Sequence, residues 1–92
     1  LAVQRAAYAA AERRGDAFEQ AVSLGYLGIV HHGLGEGDAA RVCAERAGAL
    51  AERDGRTWTR GFAAYAQAAV AGRDGEAQTL RARLAALPAD RR

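Results

Sequence analysis

The side chains with the most chemical potential gather in one stretch, LGYLGIVHHGLGEGDAARVCAERAGAL, positions 24–50: His31 and His32, the glycines Gly33, Gly35 and Gly37, Glu36, and then Cys43. Three chemistries could be built from them. The imidazoles and the thiol could hold a metal, the glycines could cradle a phosphate, and Cys43 could act as a nucleophile.

The metal reading falls short of ligands. Neighbours on a helix diverge by about 100°, so His31 and His32 cannot chelate one ion from one face. The helical spacing that suits a metal is four, and the positions it selects hold Leu27, Gly28 and Gly35; Glu36 lies four beyond His32 but across a turn. Cys43, on an antiparallel neighbour, could approach His31, which gives zinc or nickel two ligands where a structural zinc site takes about four. A metal-binding domain through His31 and Cys43 is therefore an alternative reading, and no metal or other cofactor is expected.

The phosphate reading fails on spacing. Asp38 stands where the third glycine of G-x-G-x-x-G belongs, and a carboxylate there repels a pyrophosphate. The run before it also lacks strand character. As for nucleophiles, Ser23 is the sole serine, with no histidine one turn away, and Cys43 falls on an apolar stripe, where a thiol is inert. Asp74 and Glu76 suit the start of a helix, where the dipole favours negative charge. The chain is not expected to be an enzyme.

The elements that must position these residues follow from composition. The chain has 92 residues, enough for a single domain, and half are hydrophobic. Much of that half is alanine, so stability has to come from close backbone approach rather than from large buried side chains. Net charge is +2, part of it from the terminal Asp90, Arg91 and Arg92. Every basic residue is arginine, which with the alanine and glycine points to a high-GC bacterial genome. The arginines alternate with Glu and Asp, as in AERAGALAERDGR, which describes a solvated helix face rather than a nucleic-acid surface. One cysteine excludes an intramolecular disulfide and fits a reducing cytoplasm. There is no apolar run of the roughly 18–20 residues that span a bilayer and no signal-peptide pattern, so a cytoplasmic chain without membrane contact is expected. The opening LAVQRAAYAAAERR reads as an element already under way, hence as part of something longer.

Glycine punctuates the rest. Breaks at RRGD (13–16), GLGEGD (33–38), RDGR (53–56) and GRDG (72–75), with Pro88 closing the last segment, separate five helical segments. The second carries Phe18, Val22, Tyr26 and Ile29 on one side and Leu24, Leu27, His31 and Leu34 on another, so it must be packed on two sides. The third has a stripe of Ala40, Cys43, Ala47 and Leu50, with Asp38 at its start. The fourth has Trp58, Phe62, Tyr65 and Ala69, with Thr57 as its N-cap; the fifth has Ala77, Leu80, Leu84 and Leu87. Gly25, Gly28 and Gly33 each cost a helix about 1 kcal/mol relative to alanine, which the close approach of a neighbouring helix would offset. His31 is expected between helices, and His32 on the small-residue side with Gly25 and Gly28.

The breaks also repeat. Gly35 and Gly72 are 72 − 35 = 37 positions apart, as are Ala40 and Ala77, while AERRGDAF from Ala11 and AERDGRTW from Ala51 are 51 − 11 = 40 apart. Intervals of 37 to 40 residues, each spanning a helix pair, predict an all-α stack of antiparallel helical hairpins. The difference of three makes the fourth helix about one turn shorter than the second.

LGIVHHGLGEGDAARVCAERA resembles the tetratricopeptide repeat. Leu27 and Gly28 stand at its Leu-Gly pair, His31 where an aromatic is usual, Gly35 at the glycine ending the first helix, and Ala40, Ala44 and Ala47 at the small positions of the second. The next copy departs more, with Tyr65 for the small residue after Ala64 and Leu84 where alanine is common. The resemblance divides the chain into the end of a preceding repeat (1–14), a good repeat (17–54) and a degenerate one (57–87). The order of residues 25–77 also resembles the helical repeats of LuxR-type ATPase transcriptional regulators.

Together these resemblances imply an α-solenoid fragment with Leu27, Gly28, Ala40, Ala44 and Ala47 at helix contacts. They imply a concave surface for a protein or peptide partner, lined by Val22, Tyr26, Ile29, His32, Thr59 and Phe62, or one covered by neighbouring repeats or by a second copy. A sensor or inhibitory module of a bacterial transcriptional regulator is the alternative they imply. The basic and asparagine positions by which some relatives clamp a peptide carboxylate are missing.

Overall fold

A computed structural model of the chain describes residues 2–88; Leu1 and the charged end Asp90–Arg92 lie outside the described residues. Five α-helices follow one another, α1 (Ala2–Arg14), α2 (Ala17–Gly33), α3 (Gly37–Asp54), α4 (Thr57–Val70) and α5 (Asp74–Ala86), with no strand among the described residues. None is long and apolar enough to cross a membrane. Each helix packs on the next, and α2 also lies against α4, so the first helices of two successive hairpins are neighbours. The molecule measures 33 × 32 × 19 Å, and its short dimension is two helix diameters of about 10 Å. At 14 residues α4 is 17 − 14 = 3 shorter than α2.

The breaks are made by backbone conformation. Gly15, Gly35, Gly55 and Gly72, one at the end of each of the first four helices, have φ between 68° and 81°, a region other residues enter only at a cost of roughly 1–2 kcal/mol. At three of them the chain closes a Schellman motif. After α2 the Glu36 N–H donates to the His31 carbonyl (2.9 Å) and the Gly35 N–H to that of His32 (3.1 Å); Asp16 to Ala11 with Gly15 to Glu12, and Arg73 to Ala68 with Gly72 to Ala69, repeat the pattern. Gly55 instead donates to Ala51 (2.9 Å) in a single αL cap.

Helix starts differ from the sequence expectation in one place. Asp16 caps α2 by accepting from the Glu19 N–H (3.0 Å), but Thr57 is the first helical residue of α4 rather than its cap, which is Arg56. The hydroxyl that is put to use is that of Thr59, which donates to Asp54 Oδ2 at the end of α3 (2.7 Å) and ties the α3–α4 corner.

The core joins Ala21, Leu24 and Leu27 of α2 to Ala47, Leu50 and Ala51 of α3 and Ala63 of α4, with Tyr8, Ala17 and Cys43 packed at its edge. The largest side chain with essentially no exposed surface is that of Thr59, beside this core, so the helices meet at short range. Two of the three glycines of α2 mark that approach. A Cβ at Gly28 would stand 3.2 Å from the Ala40 carbonyl oxygen and 3.4 Å from the Ala44 nitrogen, and one at Gly25 would run into the Phe62 ring. Gly33 is different: nothing lies within 4 Å of its Cβ position, so its presence reflects no packing. Leu34, the C-cap of α2, is exposed rather than part of the buried side. In α4 the most buried side is Thr59, Phe62, Ala63 and Ala66; Trp58, Tyr65 and Ala69 are only half-buried.

Candidate functional site

The aromatic residues collect on the face where α2 and α4 run side by side. Phe18 and Tyr26 come from α2, and Trp58, Phe62 and Tyr65 from successive turns of α4. Their rings form a connected row: Phe18 to Trp58 at 5.9 Å between centroids, Trp58 to Phe62 at 5.3 Å and parallel within 3°, Phe62 to Tyr26 at 5.0 Å and to Tyr65 at 6.2 Å. Arg56 covers the far end, its guanidinium 4.7 Å from the Phe18 centroid, a cation–π contact. The row is fixed because Phe62 is buried against Gly25, while Tyr26 keeps 48% of its surface in solvent.

Between this row and α5 opens a cleft of about 440 Å³, lined by Tyr26, Trp58, Phe62, Tyr65, Arg81, Leu84 and Ala85. That volume lies within the roughly 300–1,000 Å³ of ligand-sized clefts. Leu84 rests against Gly61, whose Cβ position is 2.8 Å from the leucine Cδ2, so a glycine in α4 lets α5 come close enough to form the second wall.

Of the six expected groove residues the cleft unites Tyr26 and Phe62. Thr59 is a correction: it is 0% exposed, because its hydroxyl is committed to Asp54, and it reaches no partner. Val22, half-buried, lines a separate cleft of about 310 Å³ with Ala7, Ala10 and Arg14 of α1. Ile29 is half-buried and His32 exposed, further along α2; His32 does not share the burial of Gly25 and Gly28. The site also draws on residues that sequence reasoning did not assign to it. The spacing of Trp58 and Tyr65 with Phe62 was visible, yet it pointed as well to a core stripe. Arg81 and Leu84 enter through the packing of α5 on α4; the repeat interval predicts that hairpin, but not that it sets these two residues beside the aromatic row. Of the helix-contact residues, Leu27, Gly28, Ala40, Ala44 and Ala47 are all buried.

The residues of the opening stretch have other duties. His31 is 7% exposed, and its Nδ1 lies 3.3 Å from Glu36 Oε1 across the turn, so the carboxylate meets His31 rather than His32. Burial pushes the Cys43 thiol up, against the lowering pull of Arg46 and Arg5, the reverse of what an activated nucleophile needs. Among the described residues no three of His, Cys, Asp or Glu converge on a metal-sized point. Gly33, Gly35 and Gly37 form a turn between two helices, not between a strand and a helix. Exposed arginines pair with neighbouring carboxylates, Arg41 with Asp38 and Glu45, Arg60 with Glu52, and Arg73 with Glu76.

The chain matches no family model, no curated protein and no solved structure.

Proposed function

We propose that this chain is a non-catalytic interaction module of the tetratricopeptide kind, which offers the α2–α4–α5 face to a protein or peptide. The observation that carries the reading is the aromatic cleft: a largely apolar concavity walled by packed rings, with half of Tyr26 in solvent and no nucleophile, base or metal-ligand set among its lining. Enriched aromatics with an arginine are what protein-binding surfaces use as anchors. The adjacency of α2 and α4, the 37–40-residue interval and the Gly28–Ala40 approach support the repeat character.

Selection from a random peptide library, followed by amide-resonance mapping, tests it. Selected peptides should perturb Tyr26, Tyr65 and the second half of α5. They should lose binding in Tyr26→Ala and keep it in Val42→Ala, which alters an exposed residue of α3. Footprints confined to α3, or binding indifferent to Tyr26→Ala, would remove the proposal.

A further inference from the structure

We propose that the α2–α4–α5 cleft takes an acidic peptide, one large apolar side chain entering between Tyr26, Tyr65 and Leu84 while a neighbouring carboxylate of the peptide pairs with Arg81. This rests on the interaction reading above and adds the chemistry of the partner.

Charge carries the inference. Arg81 is the only charged residue lining the cleft, and among the described residues no carboxylate oxygen lies within 4.0 Å of its guanidinium. The elements that face it supply no counter-charge. Helix α4 contains no acidic residue, the single one in α2, Glu19, is paired with Arg14, and those of α5 sit in its first turn, with Glu76 on Arg73. A cation with no counter-charge among the described residues, set beside aromatic walls, favours an incoming carboxylate and disfavours a basic segment.

The rings argue for a side chain rather than a nucleobase. Trp58 and Phe62 already stack on each other within 3°. What remains open is the surface of the two tyrosines and Leu84, which suits an aliphatic or aromatic anchor. A single arginine would also neutralise only one phosphate, too little for the electrostatic grip that nucleic acids require.

Trp58 is the sole tryptophan and lines the cleft, so its emission reports occupancy. The probes are three pools of ten-residue, end-capped peptides, each with a central Phe, Leu or Ile flanked by glutamate, glutamine or lysine. The glutamate pool should change Trp58 emission saturably and bind about two- to fivefold more tightly than the glutamine pool, the size of a solvent-exposed ion pair, with the lysine pool weakest. Added salt should narrow the gap. Arg81 is exposed, so Arg81→Glu should retain the parent helical signal and reverse the order, lysine above glutamate.

Equal binding of the three pools, or an order that Arg81→Glu leaves unchanged, would overturn the acidic preference and leave the interaction module standing. If single-stranded oligonucleotide saturates Trp58 more tightly than any pool, the partner class is wrong. A Trp58 signal that depends on protein concentration and not on peptide means a second copy covers the cleft, and overturns the proposal. No response from any pool, together with no library binder that maps to this face, would remove both readings.

Discussion

Replacing Gly28 by leucine should cost the fold about 2 kcal/mol or more, and the reason is the material it meets. A Cβ at this position would lie 3.2 Å from the Ala40 carbonyl oxygen, 3.4 Å from the Ala44 nitrogen and 3.5 Å from the Cys43 Cβ. The first two are α3 backbone, which cannot rotate aside as a side chain could. For Gly28→Ala, the propensity gain of about 1 kcal/mol opposes an overpacking cost of about 1–3 kcal/mol, so the net is a loss of roughly 0–2 kcal/mol. Leucine gains about the same from propensity and drives three more carbons into the same wall, which moves the overpacking cost to about 3 kcal/mol or more and the net loss to about 2 kcal/mol or more. In a domain of this size 1 kcal/mol shifts Tm by about 4–8 °C, so a drop of at least about 8 °C is expected. Two controls isolate the cause. Ala49→Leu, on an exposed position of α3, should stay within about 0.5 kcal/mol of the parent. Gly33→Ala, with nothing within 4 Å and no positive φ, should stabilise by up to about 1 kcal/mol. Urea unfolding followed by circular dichroism gives each value from the midpoint at constant slope. A Gly28→Leu midpoint equal to that of the parent would mean that α3 does not press on α2 at this point, and the hairpin geometry would be wrong.

Thr59→Val keeps the shape of a fully buried residue and removes its 2.7 Å bond to Asp54; it should destabilise by about 1.5–3 kcal/mol, and an unchanged urea midpoint would show that the α3–α4 corner does not depend on that bond. Because burial raises the Cys43 thiol, iodoacetamide at about pH 8 should label the native chain more slowly than the urea-unfolded one. The sign for stability follows: the contribution of the protonated thiol is complete below the ordinary value of about 8.5 and is lost as pH rises through the higher folded value, so equal labelling rates would contradict the burial. Amide exchange should be slowest in α2 and α3 and fastest in α1 and α5, whose only buried described residues are Ala11 and Ala77; protection of α5 equal to that of α2 would mean that its leucines are covered by something else.

What could be read from the chain alone was whatever depends on a few consecutive residues. Five helices and their ends were legible because a glycine at φ near 70–80° is a local requirement, met at Gly15, Gly35, Gly55 and Gly72. Packing of α2 on more than one side was legible because two apolar stripes on one cylinder leave no other arrangement. Tertiary packing decided the rest. Periodicity assigns Trp58, Phe62 and Tyr65 to one side of α4, but not whether that side meets the core or forms its rim; Phe62 is drawn in because Gly25 vacates the space opposite it, while its neighbours stay at the surface. Thr59 looked like a surface residue until the α3–α4 corner brought Asp54 within 2.7 Å. Arg81 joins the cleft only because α5 lies close along α4, where Leu84 fits against Gly61, 23 residues apart in sequence (84 − 61). A hydrophobic pattern records which side of a helix is covered; which helix covers it, and how closely, is a property of side-chain volumes meeting in space.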